Sequence, residues 1–99
     1  MSYNPKIYTT VVHMLSKAAA DFGDATAIVC EDRQLTYNQY LRCVSGLARR
    51  LQDFVQGQSL RGERIALICA NSIEIAIGLF AGHASGGQIV PINPIFIYM

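Results

Sequence analysis

The chain predicts an α/β fold: a partial, mostly parallel sheet formed by one β-α-β unit, with packed helices and a small antiparallel hairpin ahead of it. Three observations carry this expectation. First, residues 64–70, 72–85 and 88–92 are apolar runs of short, long and short length, separated by Asn71-Ser72 and by Gly86-Gly87. That order reads as strand, cap, helix, glycine stop and strand. Second, Glu74 is the only formal charge between residues 65 and 99. Near-continuous apolar runs are the mark of a parallel sheet buried on both faces. Third, the upstream half carries two amphipathic patterns of helical period. A doubly covered sheet needs more strands than this chain holds, so the sequence reads as a piece of something larger.

The elements follow in order. Residues 1–8 are expected to be an irregular lead-in, with Pro5 breaking any helix. A first helix is predicted from about Thr10 to Phe22, with Val11, Val12, Leu15, Ala18, Ala19 and Phe22 on its apolar stripe. Thr9 or Thr10 can cap it and Gly23 can stop it. Residues 26–31, TAIVCE, read as a strand, Asp32-Arg33 as a tight turn, and residues 34–36 as a short returning strand. Thr36-x-x-Gln39 then fits a capping box. It opens a second helix with the stripe Tyr40, Leu41, Val44, Leu47, Ala48, Leu51, Phe54 and Val55, running to about Gln56. Arg42, Arg49, Arg50 and Asp53 fall on its other side. Residues 57–62 form the loop into the β-α-β unit.

Composition narrows the function classes. Ninety-nine residues make one domain at most. Hydrophobic residues make up 52% and charged residues 15%, against about 25% charged in an ordinary domain, so disorder is excluded and charge to coat a free surface is scarce. A net charge of +1 gives no case for a nucleic-acid partner. Cys30, Cys43 and Cys69 are odd in number and widely spaced, which fits neither a disulfide framework nor a zinc site. Three free, buried thiols suit a reducing, intracellular and cytoplasmic setting. The N-terminus lacks the order of a signal peptide. Residues 75–84 are too short to span a bilayer, so no transmembrane segment is expected.

Each candidate motif has a plainer reading that is preferred. The glycine spacing from Gly57 to Gly62 is that of a phosphate loop, but Glu63 and Arg64 stand where Lys and Ser or Thr are needed. No Gly-x-Gly-x-x-Gly follows a strand. Asn71 or Ser72 reads as a helix cap. Gly78, Gly82 and Gly86 could form a membrane dimer face, but are read as letting this helix lie close on a neighbour. His83 is read as a satisfied core residue, and Cys69 as a buried thiol rather than a nucleophile. No Ser-His-Asp arrangement or carboxylate pair is visible. No catalytic, cofactor-binding or metal-ligating residue is therefore assigned.

Taken in order, these features resemble the N-terminal part of the adenylate-forming (AMP-binding) superfamily. That superfamily includes acyl-CoA and aryl-CoA synthetases, coumarate-CoA-ligase-like enzymes, luciferases and peptide-synthetase adenylation domains. The resemblance rests on the helix ending Ala-Ala-Asp-Phe-Gly-Asp24, the hairpin Ala27–Tyr37 ending Leu-Thr-Tyr, and Gly46-Leu-Ala-Arg-Arg-Leu51. It continues through Gly62-Glu-Arg-Ile-Ala-Leu67, Asn71-Ser72 with Glu74, Ala84-Ser-Gly-Gly87 and Val90-Pro-Ile-Asn-Pro94. It departs at Glu63, where the family has aspartate, and over residues 95–99.

The resemblance implies that residues 9–99 are an N-terminal fragment of an AMP-binding domain. Its partner would then be the remainder of a parent polypeptide, or a homologous subunit. The implied parent reaction joins a carboxylic acid to ATP, giving an acyl-adenylate and pyrophosphate, and then makes a thioester with coenzyme A. ATP, magnesium and coenzyme A belong to the full-length enzyme, and the fragment is expected to bind none of them and to be inactive alone. A peroxisomal or membrane-associated parent is compatible with the same resemblance. Two other expectations compete: a stand-alone interaction module without catalysis, and a small nucleotide-binding protein, which the absent glycine loops weigh against.

Overall fold

The structure is a computed structural model, which describes residues 10–55, 60–68 and 72–92. Seven elements follow in order: α1 (Val11–Phe22), β1 (Thr26–Cys30), β2 (Arg33–Thr36), α2 (Tyr37–Phe54), β3 (Arg64–Ile68), α3 (Ile73–Ala84) and β4 (Gln88–Ile92). β1 and β2 form an antiparallel hairpin; β3 and β4 form a separate parallel pair. The α/β class, the hairpin and the β-α-β unit are those the sequence predicts.

Helix starts are where residue chemistry is most legible. Thr10, in extended backbone, accepts the His13 amide on its hydroxyl at 3.0 Å and caps α1. Four orphan amides open any helix, and three at the start of α2 have partners. Tyr37 N donates to the Ala25 carbonyl and Asn38 N to that of Gly23, each at 3.0 Å. Gln39 N donates to the Thr36 hydroxyl at 3.2 Å, while the Gln39 side chain accepts Thr36 N at 2.8 Å. The capping box is complete.

One helix stop works differently from expectation, and one boundary is shifted. Gly23 does end α1, but in right-handed helical backbone, so left-handed freedom is not its role. A Cβ there would collide with the Asn38 side chain, and the glycine lets α2 begin against the end of α1. The hairpin turn is Glu31-Asp32 rather than Asp32-Arg33, because Cys30 pairs with Arg33. Glu31 has φ of 57°, the positive value that two-residue hairpin turns require at a central position. Nothing in a glutamate announces that conformation. The pairing register also shifts between Thr26 and Ile28, leaving a bulge at Ala27.

The core lies between α1, α2 and α3, with Leu15, Tyr40, Val44, Ala48 and Ala81 buried together. Ile28 and Leu35, paired across the hairpin, close it from one side. Ile73, 1% exposed, anchors the start of α3. The α2 stripe holds as far as Ala48 and half-buries Leu51. It fails at Phe54, which is 87% exposed. Gln56, placed at the helix end by the sequence, lies outside the described residues.

α3 ends in a Schellman motif. Gly87 N donates to the Gly82 carbonyl and Gly86 N to that of His83, both at 3.1 Å. Gly86 carries φ of 95°, so it turns the chain rather than packing the helix.

Candidate functional site

The parallel pair is the part of the chain with the most one-sided surroundings. Its register is unbroken, Arg64 opposite Gln88 through Ile68 opposite Ile92. It is seeded by Gln88 N donating to the Glu63 carbonyl at 2.9 Å. Glu63 is delivered by a turn in which its amide bonds the Leu60 carbonyl at 2.9 Å and Gly62 takes φ of 87°, the form of a type II turn.

One face of this pair is packed against α3. A Cβ on Gly78 would sit 2.8 Å from Leu67 Cδ1, and one on Gly82 would overlap the Ile89 side chain. A Cβ on Gly87 would lie 2.7 Å from Ile65 Cδ1. The close-packing reading therefore holds for Gly78 and Gly82. Large strand residues fill grooves left by helix glycines.

The other face is open. Burial along β3 alternates, with Arg64, Ala66 and Ile68 outward and exposed. Ile68 is 52% exposed, and Val90 on β4 is 43% exposed. The expectation of burial on both faces is not met among the described residues. The apolar character is present on both faces, but among the described residues α3 covers one of them.

The hairpin and the β-α-β unit are joined by charge. Arg33 Nη1 donates to Glu74 Oε1 at 2.7 Å, between two half-exposed side chains. That hydrogen bond raises the Arg33 pKa further and, with the Glu74 backbone amide, holds the Glu74 carboxylate below its ordinary value. Ser72 stands at the N-cap of α3 in extended backbone without a side-chain cap hydrogen bond, and its side chain helps to lower the Glu74 pKa. Asn71, the other cap candidate, lies outside the described residues.

Inside, Tyr40 donates its hydroxyl to the Ala76 carbonyl at 2.8 Å and meets the Phe80 ring at a centroid distance of 5.5 Å. Burial pushes the Tyr40 phenol up to about 12. Three shallow openings occur among the described residues. One of about 290 Å³ lies beside Tyr40, lined by Met14, Ala18 and Phe80. One of about 300 Å³ lies between Phe54, Leu60 and Arg64. The third, about 410 Å³, separates Thr10 and Val12 from His83.

Two side-chain expectations are corrected here. His83 is exposed, because α3 turns Ile73, Gly78, Ala81 and Gly82 inward and leaves His83 at its rim. Cys43 is exposed on the outer side of α2, and Cys30 is half-buried, both as free thiols. Cys69 lies outside the described residues, so its buried-thiol reading has no structural counterpart here. Among the described residues, no group of three His, Cys, Asp or Glu side chains could hold a metal ion. No described helix is long and apolar enough to cross a membrane.

The chain belongs to the AMP-binding enzyme family, whose model matches residues 15–96. It is 36% identical over 87 residues to malpinin synthetase of Mortierella alpina, a match covering 86% of this chain and 1% of that protein. It is 36% identical over 70 residues to a medium/long-chain-fatty-acid–CoA/3-oxocholest-4-en-26-oate–CoA ligase of Mycobacterium marinum, covering 71% of this chain and 12% of the ligase. The N-terminal subdomain of Klebsiella oxytoca NpsA, solved in complex with 3-hydroxyanthranilyl-AMSN, superposes with a TM-score of 0.79 at 26% identity. That match covers 86% of this chain and 21% of the subdomain. The chain thus spans a small part of the length of these relatives.

Proposed function

We propose that this chain is N-terminal scaffold of an ATP-dependent acid–thiol ligase, with residues 9–99 contributing to its adenylate-forming domain. The supporting observation is the family match over residues 15–96, joined to the likeness to an N-terminal adenylation subdomain. In the parent reaction a carboxylate oxygen attacks the α-phosphorus of ATP, pyrophosphate leaves, and a thiol then displaces AMP from the acyl group. Coenzyme A is the acceptor we favour, with a carrier-bound thiol as the alternative raised by the synthetase relative. No step of this chemistry is assigned to a side chain of this segment. Its role is to hold α2, α3 and the strand pair as a rigid wall.

The test is carboxylate-dependent ATP–pyrophosphate exchange, run on the native-length polypeptide and on the 99-residue chain alone. Exchange by the former and none by the latter is expected. Acyl-adenylate made by the chain alone would overturn the scaffold reading. No exchange by the native-length protein across fatty, aromatic and amino acids would overturn the ligase reading. The exposed Phe54, Ile68 and Val90 favour a second reading, an interaction module without catalysis. A monodisperse monomer that binds no apolar dye would count against it.

A further inference from the structure

We propose that the last two turns of α2 form a self-complementary face on which a second copy of this chain docks, helix against antiparallel helix. Arg49, Arg50, Gln52, Asp53 and Phe54 are all exposed there, and Phe54 shows 87% of its surface. Arg50 and Asp53 stand one turn apart, and neither has an ion pair or side-chain hydrogen bond among the described residues. A basic residue ahead of an acidic one is the weaker order for pairing within a single helix. Both charges are therefore available to a partner outside it.

The order of the charges names the occupant. Successive residues turn by about 100° around a helix, so Arg50 and Asp53 lie about 60° apart and share one face. Phe54 flanks that face, and half-buried Leu47 lies two turns earlier on the same side. A half-turn about an axis beside Leu51 and Gln52 sets Arg50 against the partner's Asp53, and Asp53 against the partner's Arg50. The same rotation carries Phe54 toward the partner's Leu47. One two-fold axis makes each contact twice, which is the condition for a closed pair. A nucleic acid or an anionic membrane drawn to Arg49 and Arg50 would be opposed by Asp53, whereas a second copy uses both signs. Two short helix ends bury less than the roughly 1,600 Å² of a standard interface, so the pair is weak and concentration-dependent. The inference goes beyond the scaffold reading and uses no part of the ligase chemistry.

Sedimentation velocity on the native-length protein, from about 1 µM to about 500 µM, tests it. A monomer–dimer equilibrium is expected, weakening with added salt. Arg50→Asp and Asp53→Arg each set like charges across the axis, and each should raise the dimer Kd about tenfold or more. The double variant carrying both substitutions restores opposite charges and should return Kd to within about threefold of the native value. Phe54→Ser should also weaken the pair. A monomer at every concentration would overturn the proposal, as would a dimer indifferent to the single reversals or a double variant as weak as the singles. Circular dichroism checks that each variant is folded. If a reversal unfolds the protein, Arg50→Gln and Asp53→Asn replace it, and a dimer unchanged by either overturns the proposal in the same way. Pyrophosphate exchange on the same preparations reports separately on the ligase reading: its absence beside an intact dimer sinks the ligase alone, and exchange by a strict monomer sinks the docking face alone.

Discussion

The Tyr40 hydroxyl crosses from α2 to donate to the Ala76 carbonyl of α3 at 2.8 Å, so one side chain is both core filler and the polar tie between the two central helices. Tyr40→Phe keeps the ring against Phe80 but leaves the carbonyl without that donor. A loss of about 1–2 kcal/mol is expected in urea unfolding. The pH dependence has a fixed sign. The phenol is neutral below its pKa, and burial lifts that pKa from 10.0 to about 12. The folded state therefore keeps a proton that the unfolded state releases, and stability falls as pH rises from 10 toward 12. Alkaline unfolding followed by circular dichroism should show this limb in the native chain and lack it in Tyr40→Phe.

Gly82 and Gly46 are both helical glycines with opposite expected behaviour. Gly82→Ala drives a Cβ into the Ile89 side chain, and a cost of about 1–3 kcal/mol is expected. Pairing it with Ile89→Val should recover part of that loss, since the overlap is with the Ile89 Cδ1. Gly46 meets nothing within 4 Å, so Gly46→Ala should stabilise by about 0.5–1 kcal/mol through helix propensity. Denaturant midpoints at constant slope decide both.

Arg33 and Glu74 make the ionic tie between hairpin and α3. Because Glu74 is held below its ordinary 4.5, its contribution is present above that pH and lost as pH falls through the lower folded value. Glu74→Gln should abolish this acid-side dependence. The native contribution should also shrink with added salt, as for any exposed pair. Thermal melts at acid and neutral pH, at low and high salt, test this.

Glu31 holds φ of 57°, which costs an ordinary residue about 1–2 kcal/mol. Glu31→Gly should stabilise the hairpin by roughly half to all of that, once glycine's greater freedom in the unfolded chain is set against it. Amide protection of Ile28 and Leu35, a cross-strand pair two residues from the turn pair Cys30 and Arg33, should rise with it, and unchanged protection would contradict the strain.

Sequence reasoning succeeded where one residue type has one use. Thr36-x-x-Gln39 specifies a capping box, and Gly86-Gly87 specifies a helix stop. The motif order from Ala19 to Pro94 was enough to find the family. It failed where position depends on something distant. Glu31 is forced into its turn by the Cys30–Arg33 register, not by its own preference. Phe54 and Ile68 carry core-like chemistry, yet are exposed. His83 looked internal because the residues around it are apolar, but side-chain direction on α3 is set by which stripe faces the strands. No site residue was assigned from the sequence.

The parallel ladder of β3 and β4 also orders the way this segment gains structure. A hairpin such as β1–β2 can close through its own two-residue turn, whereas parallel strands meet only after the crossover between them is in place. α3 must therefore lie against α2 before Arg64 can find Gln88, and the Gly82–Ile89 contact is among the last to form. Under native conditions the same hierarchy should run in reverse. β4 should exchange its amide hydrogens through the smallest opening, while the Tyr40 region holds until the whole segment unfolds.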